Sequence, residues 1–131
     1  EDGIRDVAVT GVQTCALPIW ALFTAHHLNA NAIAALTDSG STAVWMSRHN
    51  IHVPIFALTS KIATQRALST YRNVTPIGLD YTKDRDAALN EVEACLKQLG
   101  AVKKGDTVVL TSGEPMGEPG GTNTLKIIHV K

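Results

Sequence analysis

The chain has 131 residues, of which 44% are apolar and 18% charged, and its 12 basic side chains balance 12 acidic ones. This composition is typical of one globular domain with a sizeable core and argues against an intrinsically disordered chain. The neutral charge and scarce aromatic residues argue against nucleic acid binding, and every apolar run is far shorter than the roughly 20 residues of a membrane helix.

The start of the chain differs in character from the rest. Residues 1–19 resemble the in-frame translation of a sequencing-library adapter, and their acidic beginning does not fit a signal peptide. We therefore expect residues 1–19 to be non-native and take residues 20–131 as the domain. Without Cys15, Cys95 is the single cysteine, which predicts no internal disulfide and fits a reducing, cytoplasmic compartment.

From Trp20 onwards, the apolar pattern alternates between helical and strand periods. Trp20–Leu28 is predicted to end a helix, and the apolar run Ala32–Leu36 is typical of a buried strand. The polar loop Thr37–Thr42 follows, and then a short helix with a half-buried Trp45. The remaining predicted elements are the strand Pro54–Leu58, the helix Lys61–Thr70, the strand Asn73–Leu79, the long helix Lys83–Leu99 and the strands Thr107–Thr111 and Thr124–Val130.

Individual residues refine these predictions. Thr59 and Ser60 are expected to cap the helix that follows them, and Pro76 predicts an edge strand because it lacks a backbone N–H. Gly100 is expected to end the long helix. The apolar stripe predicted for that helix contains Ala88, Val92, Cys95, Leu96 and Leu99.

The connections predict how the strands are arranged. The glycine- and proline-rich loop Ser112–Thr122 leaves no room for a crossover helix, so the last two strands should be antiparallel neighbours. The earlier strands alternate with helices, which is typical of a parallel sheet. The predicted fold class is α/β: three αβα layers around a five-stranded mixed sheet, with four parallel strands and an antiparallel last strand.

Two polar loops are candidates for ligand binding, because ligands of open α/β sheets bind beyond the carboxyl ends of the strands. The first loop offers hydroxyl groups and a glycine suited to a phosphate, and consists of Thr37, Asp38, Ser39, Gly40, Ser41 and Thr42. Alternatively, its side chains only cap the next helix.

The second candidate is the loop between the last two strands. Its glycines could let the backbone wrap a ligand, although a glycine-rich hairpin connection needs no ligand at all. The candidate residues of this loop are Ser112, Gly113, Glu114, Gly117, Gly120 and Gly121.

No catalytic set is visible in the sequence. A nucleophile elbow, a Walker loop and a dinucleotide fingerprint are all missing, and Cys95 lies on an apolar stripe that favours a core position. His26 and His27 are adjacent on a helix and point apart, so they cannot share a metal ion. We expect no catalytic residue, metal ligand or cofactor here. All five histidines are interpreted as surface or half-buried residues: His26, His27, His49, His52 and His129.

Five sequence blocks, in this order and spacing, resemble a known family. They are A-I-A-A-L-T-D-S-G-S-T-A-V-W-M-S (Ala32–Ser47), P-I-F-A-L-T, Y-R-N-V-T-P-I, K-K-G-D-T-V-V-L-T-S-G and G-G-T-N-T. Residues 20–131 resemble the carboxy-terminal domain of pyruvate kinase, of the bacterial type that responds to sugar monophosphates or AMP. The resemblance implies a fragment of a glycolytic enzyme that transfers a phosphoryl group from phosphoenolpyruvate to ADP. Its Mg²⁺- and K⁺-dependent active site would lie in a barrel domain that is absent here.

The resemblance also implies roles for both loops. In this family the domain binds an allosteric effector and contacts other subunits of a homo-oligomer. By position, Thr37–Thr42 would hold the effector phosphate and Ser112–Gly121 would fold over the sugar. Two alternatives stay open: a structural oligomerisation module without effector, and a free-standing domain that binds phosphorylated metabolites.

The charges near the loops favour a singly phosphorylated effector. Asp38 and Ser41 stand where relatives that bind fructose 1,6-bisphosphate place cationic residues. Glu114 and Glu118 add carboxylates to the covering loop, and a carboxylate repels a nearby phosphate. We therefore expect a sugar monophosphate or AMP as the effector, if one binds.

Overall fold

The computed structural model describes residues 12–37, 40–49, 52–79, 85–112 and 124–131. In chain order its elements are helix α1 (Val12–His27), strand β1 (Ala32–Leu36), helix α2 (Ser41–Ser47), strand β2 (Ile55–Thr59), helix α3 (Ile62–Leu68), strand β3 (Val74–Gly78), helix α4 (Arg85–Gln98), strand β4 (Thr107–Ser112) and strand β5 (Thr124–His129). Every predicted strand and helix is present. Apart from the start of α1, the ends agree to within about two residues.

The five strands form one mixed sheet in the order β3-β2-β1-β4-β5. The first four are parallel, with Ala35 beside Ala57 on one side and Thr111 on the other. Strand β5 pairs antiparallel with β4 and places Leu125 beside Thr111. The predicted strand directions are confirmed. Pro76 lies on β3 at the edge of the sheet, as predicted from its missing N–H.

Helices cover both faces of the sheet and give three layers. Alternate residues of each strand face opposite sides, so β1 and β2 are buried along their full length. The first face packs against α1, α2 and α3, through Ala21, Leu22, Ala25, Ala43, Met46 and Leu68. The second face packs against α4, through Ala88, Val92 and Leu96. Each fully buried leucine, valine or methionine side chain among them stabilises the fold by about 1.5–3 kcal/mol, and each alanine by less.

Two helices end at residues with a left-handed backbone. Asn29 has φ 51° after α1, and the Ala30 N–H donates to the Ala25 carbonyl at 2.9 Å. Gly100 has φ 75° after α4, and the Ala101 N–H donates to the Leu96 carbonyl at 3.0 Å. Such bonds satisfy carbonyls that a helix end leaves without partners. The predicted end of α4 at Gly100 is confirmed.

The predicted cap of α3 is wrong. The residue before α3 is Lys61, which is extended at φ −98° and ψ 119° and makes no side-chain capping bond. Thr59 is fully buried as the last residue of β2, and its Oγ1 accepts a hydrogen bond from the Lys61 N–H at 3.1 Å. The hydroxyl of Thr59 thus fixes the connection before the helix instead of the helix end.

The apolar stripe of α4 is confirmed for Ala88, Val92 and Leu96, which are buried. Leu99 is 56% exposed and does not belong to it, because α4 ends at Gln98 and the chain turns away at Gly100. Cys95 is half-buried at the edge of the stripe.

Helix α1 extends towards the amino terminus beyond Trp20. It begins at Val12 and therefore includes part of the segment 1–19 that the sequence analysis sets aside. Its outer surface exposes Trp20 and Phe23 by 65% and 63%, and the Phe23 ring lies 4.1 Å from the His27 ring between centroids. Within the described ranges, none of the helices has the length and apolar character needed to cross a bilayer.

Candidate functional site

The order of the strands reverses between β1 and β4. From β1 the chain moves outwards through β2 to β3, and β4 then lies on the other side of β1. In open α/β sheets, such a reversal leaves a crevice beyond the carboxyl ends of the two strands. Because Ala35 is level with Thr111, the next residues, Leu36 and Ser112, end β1 and β4 at the same edge of the sheet, and Thr37 follows one residue further along. The structure therefore brings together the starts of both predicted loops.

Thr37 shapes the beginning of the first loop. Its N–H donates to the Leu58 carbonyl at 3.0 Å, and its Oγ1 accepts from the Gly40 N–H at 2.8 Å in a buried turn. Gly40, not Thr37, directly precedes α2, and it has no side chain with which to cap the helix. Thr37 therefore holds the turn closed and does not cap the helix.

Gly40 links this turn to a distant helix. Its φ of 86° lies in the left-handed region, which favours glycine. A Cβ at this position would lie only 3.1 Å from a methyl carbon of Leu68 in α3. The carbonyl of Gly40 also accepts from the Val44 N–H at 3.0 Å, which starts α2. The turn, α2 and α3 thus meet at Gly40, where a Cβ would require the Leu68 side chain to shift by a few tenths of an ångström.

The second loop begins at Ser112 and ends at Thr124, and these residues pair across β4 and β5. The antiparallel strands therefore hold both ends of the loop together. Among the predicted site residues, the structure describes Thr37, Gly40, Ser41, Thr42 and Ser112. The others lie outside the described residues, and they are Asp38, Ser39, Gly113, Glu114, Gly117, Gly120 and Gly121.

Thr111 is a polar residue at this edge that sequence reasoning missed. It is fully buried, and its Oγ1 has no hydrogen-bond partner among the described residues. In the sequence it resembles any β-branched residue of a strand, because the missing partner depends on which side chains the sheet register places beside it. The unusual position of its hydroxyl becomes visible only in the structure, which places the apolar residues Ala35 and Leu125 beside it.

Across the described ranges, no group of three or more His, Cys, Asp or Glu side chains could hold a metal ion. The histidines there are all exposed. The described residues of the two loops, Thr37, Gly40, Ser41, Thr42 and Ser112, carry hydroxyl groups and backbone N–H groups and no charged side chain. Such groups bind the oxygens of an anion without supplying a nucleophile or a general base.

The fold and the crevice define a three-layer α/β domain of the type that binds ligands where the strand order reverses. Residues 16–128 match the family described as the pyruvate kinase alpha/beta domain. The chain belongs to this family. The family resemblance of the sequence blocks is thereby confirmed, and so is the fold class.

Curated relatives are pyruvate kinases. The pyruvate kinase of Buchnera aphidicola subsp. Baizongia pistaciae is 40% identical over 116 residues, which cover 88% of this chain and 24% of that protein. The pyruvate kinase of Staphylococcus aureus strain USA300 is 40% identical over 112 residues, which cover 86% of this chain and 19% of that protein. The chain thus spans about a fifth to a quarter of the length of these relatives.

Solved structures of pyruvate kinase from Cryptosporidium parvum share the fold. One has a TM-score of 0.78 and 25% sequence identity, and the aligned region covers 88% of this chain and 22% of the solved chain. Another, solved in complex with ADP, has a TM-score of 0.79 and 27% sequence identity, and the aligned region covers 88% of this chain and 23% of the solved chain. In both comparisons, nearly all of this chain corresponds to a minor part of the larger protein.

Proposed function

We propose that this chain is the regulatory and subunit-contact domain of a pyruvate kinase and binds a phosphorylated metabolite in the crevice between β1 and β4. The observation that supports this most directly is that the strand order reverses between β1 and β4, whose last residues, Leu36 and Ser112, lie at the same edge of the sheet. In this proposal the parent enzyme acts in the cytoplasm. There it transfers a phosphoryl group from phosphoenolpyruvate to ADP, using Mg²⁺ and K⁺ in a separate barrel domain.

The proposed ligand is a sugar monophosphate or AMP. Its phosphate would lie against the turn and the start of α2, within Thr37–Thr42, and its sugar beneath the loop that starts at Ser112. Two features support this assignment. The closed Thr37–Gly40 turn holds the backbone of the first loop in place, and the β4–β5 pairing fixes both ends of the second loop. The carboxylates of Asp38 and Glu114 disfavour a second phosphate.

Calorimetric titration of the 131-residue chain tests this proposal. We expect saturable binding of at least one of ribose 5-phosphate, glucose 6-phosphate and AMP, and weaker binding of fructose 1,6-bisphosphate. Ser41→Glu should weaken the monophosphate at least about tenfold, because Ser41 is the exposed first residue of α2 and the new carboxylate would repel the phosphate.

Ser60→Glu is the matched control. Ser60 is also exposed and also follows a strand at this edge of the sheet, but it belongs to the connection between β2 and α3. The affinity of this variant should equal that of the unaltered chain. An equal loss of affinity in both variants would mean that the added charge weakens the overall attraction between protein and ligand and does not act at a local site. The absence of saturable heat with all four ligands would contradict effector binding.

A second candidate function is subunit contact without any effector. Two observations favour it: the apolar outer surface of α1, with Trp20 and Phe23 largely exposed, and the open edge of β5, where Ile127 is 46% exposed. Exposed apolar surface of this kind is typical of protein contact sites. Homo-oligomer formation in the parent enzyme is compatible with effector binding. The titration above distinguishes a domain that only contacts other subunits from one that also binds an effector.

We also propose that residues 1–19 are not native and that the native gene encodes a barrel domain upstream of Trp20. The sequence of residues 1–19 is the basis of this proposal, because α1, which begins at Val12, and the family match, which begins at residue 16, both include the last part of the segment. Amplification of the locus from source DNA should yield a different sequence in place of residues 1–19, preceded by the barrel. Genomic coding sequence for residues 1–19 would contradict the adapter origin, and a start codon directly before Trp20 would favour the free-standing domain.

A further inference from the structure

A groove lies at the amino ends of β1 and β2, at the edge of the sheet opposite to the crevice. One wall is the second half of α1 with the turn that follows it, and the other wall is the connection between α2 and β2. The volume of the groove is about 830 Å³, within the range of about 300–1,000 Å³ that small-molecule sites span. Its lining includes Leu22, Phe23, His26, His49, His52 and Val53.

Hydrogen bonds to neighbouring strands hold both walls in place. Asn31, which ends the first wall, exchanges two bonds with Thr107 of β4. Its N–H donates to the Thr107 carbonyl at 2.8 Å, and its Oδ1 accepts from the Thr107 N–H at 3.1 Å. In the second wall, the Val53 carbonyl accepts from Asn73 Nδ2 at 2.7 Å. The groove is therefore formed by the fold itself, as is usual for small-molecule sites.

The surface of the groove combines apolar side chains with three histidines. Leu22 is buried beneath it, and Phe23 is 63% exposed. His26 comes from the first wall, while His49 and His52 come from the second, and all three are exposed. Every imidazole has at least one ring N–H that can donate to a ligand, and a protonated imidazole has two. Within the described ranges these histidines do not form a metal site.

None of the lining residues is a carboxylate that could balance the histidines. From residue 12 to residue 79 the sequence contains a single acidic residue, Asp38, which follows β1 at the opposite edge of the sheet. A cleft whose charged groups all have one sign concentrates ligands of the opposite sign. The groove is therefore suited to an anion.

The charged groups around the groove have the same sign on three sides. On α1, the His27 ring lies 5.8 Å from the His26 ring between centroids. Arg48 comes directly before one histidine of the second wall, and Arg72 directly before the asparagine that bonds this wall. On the β4 side, the carboxylate of Asp106 accepts from a backbone N–H of its own turn at 2.9 Å. Protonation of the groove histidines thus adds positive charge to a surface that is already cationic.

We propose that this groove is a second ligand site, which binds a small organic anion. The anionic group contacts the histidines, and the apolar body of the ligand lies on Phe23 and Val53. The site is separate from the crevice between β1 and β4 and does not depend on the function proposed above. Histidine gains positive charge as the pH falls from 8 to 6, so acidification strengthens the attraction for the anion.

Calorimetric titration of the 131-residue chain with naphthalene-2-carboxylate tests this proposal. We expect saturable binding at pH 6 and at least about tenfold weaker binding at pH 8. Naphthalene-2-carboxamide has the same shape without the charge, and it should bind weakly and equally at both pH values. His52→Gln should weaken the carboxylate about three- to fivefold at pH 6, as expected for an exposed charge pair. Joint replacement of His26, His49 and His52 by glutamine should remove the pH dependence.

His129→Gln is the matched control for the histidines. His129 is also exposed and lies at the same edge of the sheet, beside Thr107, but it does not line the groove. Its replacement should leave the affinity unchanged. Phe23→Ala should weaken the carboxylate and the amide alike, because both lose apolar contact. Trp20→Ala should weaken neither, since Trp20 is as exposed on α1 but lies outside the lining.

Each unfavourable outcome overturns a stated part of the proposal. The absence of saturable binding at both pH values would overturn the site and favour a groove that another part of the parent protein covers. Equal affinity at pH 6 and pH 8, or equal losses in His52→Gln and His129→Gln, would overturn the role of the groove histidines. Loss of binding in Ser41→Glu, at the opposite edge of the sheet, would place the anion in the crevice instead. The titrations with phosphorylated metabolites are separate measurements, so the two proposals can fail independently.

Discussion

Replacement of Leu96 by alanine should lower the free energy of unfolding by about 3 kcal/mol, within the 2–5 kcal/mol that such core truncations cost. Leu96 is fully buried and joins α4 to the second face of the sheet, next to core residues of β1 and β4. Since a domain of this size is stable by only about 5–15 kcal/mol, the loss would be a large share of the total. Urea denaturation followed by circular dichroism measures it.

Leu99→Ala is the matched control for this prediction. Leu99 is the same residue type and lies three positions further along, but it is 56% exposed and outside α4. Its truncation should change the free energy of unfolding by no more than about 0.5 kcal/mol. Similar losses for both variants would contradict the packing of α4 on the sheet described above.

Gly40→Ala is expected to destabilise the domain by about 2–5 kcal/mol. The left-handed backbone at φ 86° costs a residue with a Cβ about 1–2 kcal/mol. The new Cβ would also lie 3.1 Å from a Leu68 methyl carbon, and overpacking of a core costs about 1–3 kcal/mol. The urea midpoint of the variant, compared with that of the unaltered chain, gives the total.

Gly105→Ala separates the two contributions. Gly105 has a similar φ of 93°, in the turn before β4, and a Cβ there would have no atom within 4 Å. This variant should lose only the backbone part, about 1–2 kcal/mol. The difference between the variants then measures the contact between Gly40 and Leu68. If both lose the same amount, Leu68 moves aside freely and the turn is not packed tightly against α3.

The sequence predicted most of the fold because its signals were local. The uninterrupted apolar run Ala32–Leu36 identifies a buried central strand, and the spacing of Ala88, Val92 and Leu96 identifies one face of a helix. The short link after β4 fixed the direction of β5. Each of these inferences needed only neighbours along the chain, and the edge position of Pro76 followed from a missing N–H.

The remaining features depend on contacts that the sequence does not display. The exposure of Leu99 follows from where α4 ends, and the bond of Thr59 to Lys61 follows from its position at a strand end. The hydroxyl of Thr111 has no partner in the described part of the chain, where the register places the apolar Ala35 and Leu125 beside it. For the candidate site, the sequence predicted which loops are polar, while the strand order determined that they begin side by side.

The small side chains of β1 have a consequence for ligand selectivity. Ala35 is level with Thr111, one residue before the ends of β1 and β4, on the face that supports α1 and α2. A bulkier residue at this position would push the covering helices outwards. Under the proposed function, selectivity for ligand size can therefore diverge between related enzymes through a substitution in the sheet, without any change in the groups that would touch the ligand.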